Sequence, residues 1–176
     1  MQESGINKSG VIGADDSGNL ILRRACVSDV GEILALINSY ASSNLMLPRG
    51  PKYLYENIRN FVVVKAEAEK TEPKVVACGS LHVLWEDIAE IRALAIHPRF
   101  QHCGLGAKIV RHLIKEARHM EIEKVFTFTL EKEFFEKLGF KPKTKEELPS
   151  KVWSECIQCP KYFQCDETGV IFDCTE

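Results

Sequence analysis

At 176 residues the chain is long enough for one domain with a substantial core and too short for several. Its 45% hydrophobic and 27% charged residues fit a globular protein, and a formal net charge of −2 excludes the global basic excess that nucleic acid or a polybasic membrane contact requires. No apolar run reaches the length a bilayer needs, so the expected partners are small ligands, with no nucleic acid and no membrane.

In chain order, residues 1–18 are polar, with neither a basic start leading into an apolar run nor a cleavage signature, and read as a mobile leader to a single domain over 19–176. "LILRRA" (Leu20 to Ala25) predicts a strand. Ser28 offers an N-cap to a helix whose Val30, Ile33, Leu34 and Ile37 share one face. A short helical pattern follows at Tyr53 to Ile58, and "FVVVKA" reads as a buried strand. After the charged turn "EAEKTEPK", Val75 to Trp85 and Glu90 to Ile96 complete an antiparallel meander. A helix from near Gly104 carries the clearest apolar stripe of the chain, Ile109, Val110, Leu113, Ile114 and Ala117. Lys124 to Leu130 alternates as a strand, and "EKEFFEKLGF" is a short helix closed by Gly139. The fold class is therefore α/β (α+β), with a mixed, mostly antiparallel sheet whose one clear crossover runs from Glu90 to Leu130.

Within that crossover, Gly104 and Gly106 sit at the entrance to the best-defined helix. A helix N-terminus presents unpaired amides and a partial positive charge, which suits phosphate oxygens; the plain alternative is two glycines shaping a tight turn. A Walker loop is absent, and a dinucleotide fingerprint would need glycine at 109, where Ile109 stands.

"QHCGLG" (Gln101 to Gly106) resembles the QxxGxG/A pyrophosphate loop of the GNAT superfamily, the GCN5-related N-acetyltransferases. "AEIRALAIHP" before it resembles that family's fourth strand, and "FFEKLGF" (Phe134 to Phe140) its late "FYeklGF" segment. The resemblance covers roughly residues 20 to 142 and implies the GNAT fold, with splayed central strands and flanking helices. It implies acetyl-CoA as co-substrate, held by the backbone of Gln101, His102, Cys103, Gly104, Leu105, Gly106 and Ala107. It also implies that Leu94, Ala95 and Ile96 line the pantetheine arm and thioester, where a backbone amide can stabilise an oxyanion. His102 and Cys103 replace the commoner side chains of that loop.

Acetyl transfer to an amine needs a neutral nitrogen and hence a proton acceptor. Glu90 stands where the "AEI" of protein acetyltransferases in this family places the general base; the plain alternative is a solvated pair with Arg92. Strand alternation puts Glu90 and Arg92 on one face, with Ile91 and Ala93 on the other. Phe135 occupies the position of the Tyr that usually protonates the departing thiolate. Non-catalytic acyl-CoA binding is the rival from another class, and the retention of Glu90 argues against it.

"LMLPRGPKYLYENIRNFVV", "GSLHVLWEDIAEIRALAIHP" and "ELPSKVWSECIQCPKYFQCDE" together resemble short, stand-alone amino-acid acetyltransferases of arginine biosynthesis, of N-acetylglutamate synthase type. That implies L-glutamate as acceptor, with glutamine, peptide or protein amines and polyamines as alternatives, and a homodimer by analogy with relatives. Planar guanidinium groups suit an amino acid's carboxylates, and Arg92 and Arg49 are the candidates.

The seven cysteines are odd in number and no export signal is present, so the expected location is the reducing cytoplasm. Cys156, Cys159, Cys165 and Cys174 form a fragment of a zinc pattern whose second pair is widely spaced. The expectation is reduced thiols in a folded tail, with no metal required.

Overall fold

The structure is a computed structural model and describes residues 11–14, 20–66, 75–144, 147–148 and 162–176. Its centre is an eight-stranded sheet. In chain order the strands are β1 (Val11–Ala14), β2 (Leu20–Arg24), β3 (Phe61–Ala66), β4 (Val75–Val83), β5 (Ile88–Ile96), β6 (Lys124–Thr129), β7 (Lys141–Lys143) and β8 (Thr168–Asp173). They lie in the order β1-β2-β3-β4-β5-β6-β8-β7, and the β5–β6 pair is parallel while the other described pairs are antiparallel. The expected mixed sheet and single crossover are both present. Among the described residues no helix is long and apolar enough to cross a membrane.

Among the described residues four helices cover the sheet: α1 (Val30–Ala41), α2 (Pro51–Asn57), α3 (Leu105–His119) and α4 (Lys132–Glu136). The run "FVVV" in β3 is apolar throughout because both of its faces are covered. Val62 and Val64 join the α3 stripe of Ile109, Val110 and Leu113, while Phe61 and Val63 join Ile33 and Ile37 of α1 and Leu54 of α2. The expected stripe of α3 is buried along its length. Gly139 closes the α4 segment at φ +92°, the left-handed conformation expected of it.

Four details differ from the sequence reading. Val11–Ala14, inside the segment read as a leader, pairs with β2. Ser28 caps nothing: it lies within a 3-10 turn, Val27–Asp29, and the Asp29 carboxylate takes the Cys26 amide at 2.8 Å. β8, from the far end of the chain, inserts between β6 and β7. The alternation expected along β5 breaks at a bulge, since Ser80 pairs with Arg92 but Cys78 pairs with Ala95, so β5 advances three residues while β4 advances two. Ala93 takes φ +52° there and packs with the α1–α2 cluster, whereas Ile91 packs with the α3 cluster, so the two do not share a face.

β5 and β6 pair only from Ile88 to Glu90 and Lys124 to Phe126. Beyond Glu90 the two strands part, which is the expected splay, and the opening between them is where the cavity lies.

Candidate active site

The cavity has a volume of about 1320 Å³ and is walled by the end of α1, the segment before α2, the parting ends of β5 and β6, the start of α3, α4, and Phe163, Cys165, Asp166 and Glu167. Part of its lining is ionic. Glu90 is the last β5 residue paired with β6, and its side chain is only 10% exposed. Arg92 donates to Glu90 Oε2 from Nε at 2.7 Å and from Nη2 at 2.6 Å. The two charges neutralise each other in the cavity wall, so the plain pairing anticipated for Arg92 does form. Arg49 lines the same cavity, with its guanidinium 4.2 Å from the centroid of the Tyr53 ring and its backbone clasped by both ends of the Asn38 amide at 3.0 Å. Glu90 and Arg92, neighbours on β5, and Arg49, from the segment before α2, thus line the same cavity.

Another part is made of backbone. Gly104 caps α3 at φ +78°, a conformation that costs most residues a Cβ clash and costs glycine nothing. A Cβ on Gly106 would stand 3.1 Å from Phe134 Cζ and 3.4 Å from Ile96 Cδ1, so the absence of a side chain lets α3 approach both closely. The first α3 amides have no acceptor within their helix and open onto the cavity wall at Leu105, Gly106 and Ala107. Gln101, His102, Gly104, Leu94 and Ile96 line it too. Ala95 does not, being buried against the α1–α2 cluster, and exposed Cys103 instead bonds the Gln101 carbonyl at 3.4 Å.

Several residues at the site were not singled out by the sequence. Tyr40 of α1 donates to the Ile96 carbonyl and accepts from Gln101 Nε2 at 2.8 Å, tying the end of β5 to the loop before α3. Ser80 and His82 are buried beside Arg92 and Glu90. Phe163, Cys165, Asp166 and Glu167 close one side of the cavity. Phe135, at the position of the usual acid, is 3% exposed and packs on Phe140 at 5.1 Å between centroids.

Of the tail cysteines, Cys156 and Cys159 lie outside the described residues. Among the described residues no cluster of metal-ligating side chains occurs, Cys165 lines the cavity, and Cys174 lies beyond the end of β8, its amide on the Glu123 carbonyl at 2.7 Å. Burial pushes the thiol of Cys78, in β4, up to about 12, which makes it an inert core group.

Residues 31–140 match the model of the Acetyltransferase (GNAT) family. An amino-acid acetyltransferase of Mycobacterium tuberculosis is 42% identical over 120 residues, 68% of this chain and 67% of that protein. Among solved structures, Rv2747 from Mycobacterium tuberculosis in complex with CoA and NLQ superposes with a TM-score of 0.70 at 32% identity, over 86% of this chain and 98% of that one. N-acetylglutamate synthase from Neisseria gonorrhoeae, complexed with coenzyme A and N-acetyl-glutamate, gives 0.76 at 24% identity over 88% of this chain and 35% of that one, a likeness of fold. With the splayed strands, the glycine corner and the family match in agreement, this chain belongs to the Acetyltransferase (GNAT) family and is an N-acetyltransferase.

Proposed function

We propose that the chain transfers the acetyl group of acetyl-CoA directly to the amino group of a free amino acid, L-glutamate, with Glu90 as general base. The observation that supports this most is that Glu90, Arg92 and Arg49 line one cavity, with Glu90 at the point where β5 leaves β6. Glu90 takes a proton from the acceptor ammonium, leaving a neutral nitrogen whose lone pair attacks the thioester carbon; as the carbon–sulfur bond breaks, the nitrogen gives up its second proton to water, and water returns one proton to the departing thiolate. The β5 backbone at Leu94 to Ile96 lies along the pantetheine arm, where an amide polarises the thioester carbonyl. The α3 amides behind Gln101 to Ala107 grip the diphosphate, aided by the helix dipole.

Arg92 and Arg49 serve the acceptor's carboxylates. A guanidinium presents a planar fork of donors, so Arg92, held on Glu90 in the structure, can exchange that partner for an acceptor carboxylate with little change in position. The reading extends to a cytoplasmic enzyme of small molecules, working as a homodimer and serving arginine biosynthesis; size-exclusion chromatography checks the pairing.

An acceptor screen that monitors free thiol release tests the substrate. Glutamate is expected to give the highest kcat/KM, with glutamine below it and a lysine peptide or polyamine near background. A peptide or polyamine preferred over glutamate overturns the acceptor assignment while leaving acetyl transfer intact.

A further inference from the structure

Beneath the two arginines lies a buried polar chain. Ser80 is fully buried and donates from Oγ to the Arg92 carbonyl at 3.0 Å, at the point where β5 bulges. His82, 6% exposed, brings Nε2 to 3.0 Å from that Oγ and 3.4 Å from the Tyr53 hydroxyl, while Asn60 Nδ2 donates to its Nδ1 at 3.3 Å. The neutral tautomer in which Nδ1 accepts from Asn60 and Nε2 donates toward the two hydroxyl oxygens satisfies these contacts together. The Tyr53 ring is in turn the platform under Arg49. Contacts therefore run unbroken from Arg49 through Tyr53, His82 and Ser80 to the Arg92 peptide, and His82 stands directly opposite Glu90 in the β4–β5 register.

A histidine in a buried strand position costs desolvation that a leucine would not, and every hydrogen bond in this chain serves to offset it. A bulged residue at positive φ, such as Ala93, is strained unless its surroundings hold it. The Ser80 bond to the preceding carbonyl is one such restraint, and His82 orients the hydroxyl that makes it.

We propose that His82 is a positioning residue for the acceptor end of the site: it links the Tyr53 platform to the β5 bulge, so that Arg49, Arg92 and Glu90 are held as one unit. The proposal rests on the acceptor reading above for its kinetic consequence, but not for its structural one. His82 touches neither substrate nor the reacting atoms; it acts through Ser80 and Tyr53.

The test compares His82→Leu, His82→Gln and Ser80→Ala in the full chain. Gln places an amide donor near the position of Nε2, and Leu removes the donor at similar bulk. Hydrogen exchange of the unliganded protein needs no acceptor: His82→Leu and Ser80→Ala are expected to speed exchange in β5 residues 92–96 on the order of tenfold, with α3 unchanged and His82→Gln close to the parent. Kinetically, His82→Leu is expected to raise the KM for glutamate and lower kcat, together on the order of tenfold or more, while the KM for acetyl-CoA stays within roughly twofold. Unchanged exchange in β5, equal loosening of α3, or no recovery with Gln overturns the proposal. If exchange responds as expected but no amino acid is acetylated by the parent enzyme, the acceptor reading fails and the positioning role stands. If Arg49→Lys raises the glutamate KM and His82→Leu does not, the reverse holds. Should His82→Leu not fold, Ser80→Ala and His82→Gln carry both measurements.

Discussion

Two buried carboxylates, Asp29 and Glu90, each face an arginine, and their surroundings assign them opposite tasks. Asp29, with no exposed side-chain surface, takes Arg23 Nη1 at 2.7 Å, Arg23 Nη2 at 2.9 Å, Lys65 Nζ at 2.9 Å and the Cys26 amide at 2.8 Å. Both oxygens are committed to groups on β2, β3 and the turn before α1, and none of these groups lines the cavity. Burial alone would raise its pKa, but these bonds outweigh it and hold the carboxyl at about 2. Glu90 accepts from Arg92 through Oε2 and forms part of the cavity wall. The contrast shows that an ion pair's function is decided by what else can reach it. A carboxylate locked by donors on three elements serves the fold, whereas one in a cavity wall can accept a substrate's proton.

The largest effect expected from breaking this comparison is at Glu90. Glu90→Gln keeps the shape and removes the base, and kcat of the folded protein should fall on the order of 10³-fold. A pH series is the check, because loss of a base flattens the acidic limb of the rate profile. Turnover that survives across that series assigns the proton acceptor elsewhere.

Asp29→Asn inverts the pattern. Leaving Arg23 and Lys65 without their buried counter-charge should cost roughly 3 kcal/mol of unfolding free energy, while kcat of the folded protein stays close to the parent value. The sign of the pH dependence follows from a depressed acid. Asp29 titrates at about 2 in the folded chain against 3.8 ordinarily, so its contribution of about 2 kcal/mol is complete above pH 4 and is lost as pH falls from there toward 2. Urea denaturation of parent and variant between pH 6 and 2.5 should show two curves that converge on the acid side. Curves that stay parallel would mean that Asp29 is not the source of acid sensitivity.

The same contrast explains what could be read in advance. The α3 stripe and the apolar run of β3 repeat a local period over many residues, so pattern alone locates them. Gly104 and Gly106 were legible because backbone conformation and close approach restrict residue type strongly at those two positions. β8 was not, since "TGVIFD" is short and becomes a strand by pairing with β6, some forty residues earlier. The bulge was equally hidden: nothing in "RALA" announces that Ala93 will take positive φ, because the extra residue is accommodated by the register of β4. Ser80 and His82 are single polar residues within an apolar strand, Tyr40 is one of several polar residues late in α1, and the roles of all three exist only through partners brought in by the fold.

A smaller effect is expected at the backbone end of the cavity. The position of a Cβ on Gly104 has no atom within 4 Å, so Gly104→Asp should fold with only the strain of its positive φ, and the new charge should weaken coenzyme A binding on the order of tenfold. Gly104→Asn carries the same backbone strain without the charge, and calorimetric titration of both separates the two contributions. Equal affinities for Asp and Asn would show that no phosphate lies near this corner.

The smallest effect is expected at Tyr40, which ties the end of β5 to the loop before α3. Its hydroxyl donates to the Ile96 carbonyl and accepts from Gln101, so Tyr40→Phe deletes one oxygen and leaves a carbonyl and an amide to find water at the cavity edge. Because both groups remain within reach of solvent, the loss should be about 1 kcal/mol, not the larger penalty of a sealed interior. The loss should also be selective. Gln101 belongs to the loop before α3 and Ile96 to the end of β5, so the KM for acetyl-CoA should rise about fivefold while the KM for the acceptor, set by Arg49, Arg92 and Glu90 at the opposite end, stays level. An acceptor KM that rises in step with that for acetyl-CoA would mean that the last turns of β5 transmit strain through the bulge at Ala93, and that the backbone and ionic ends of the cavity are one mechanical unit.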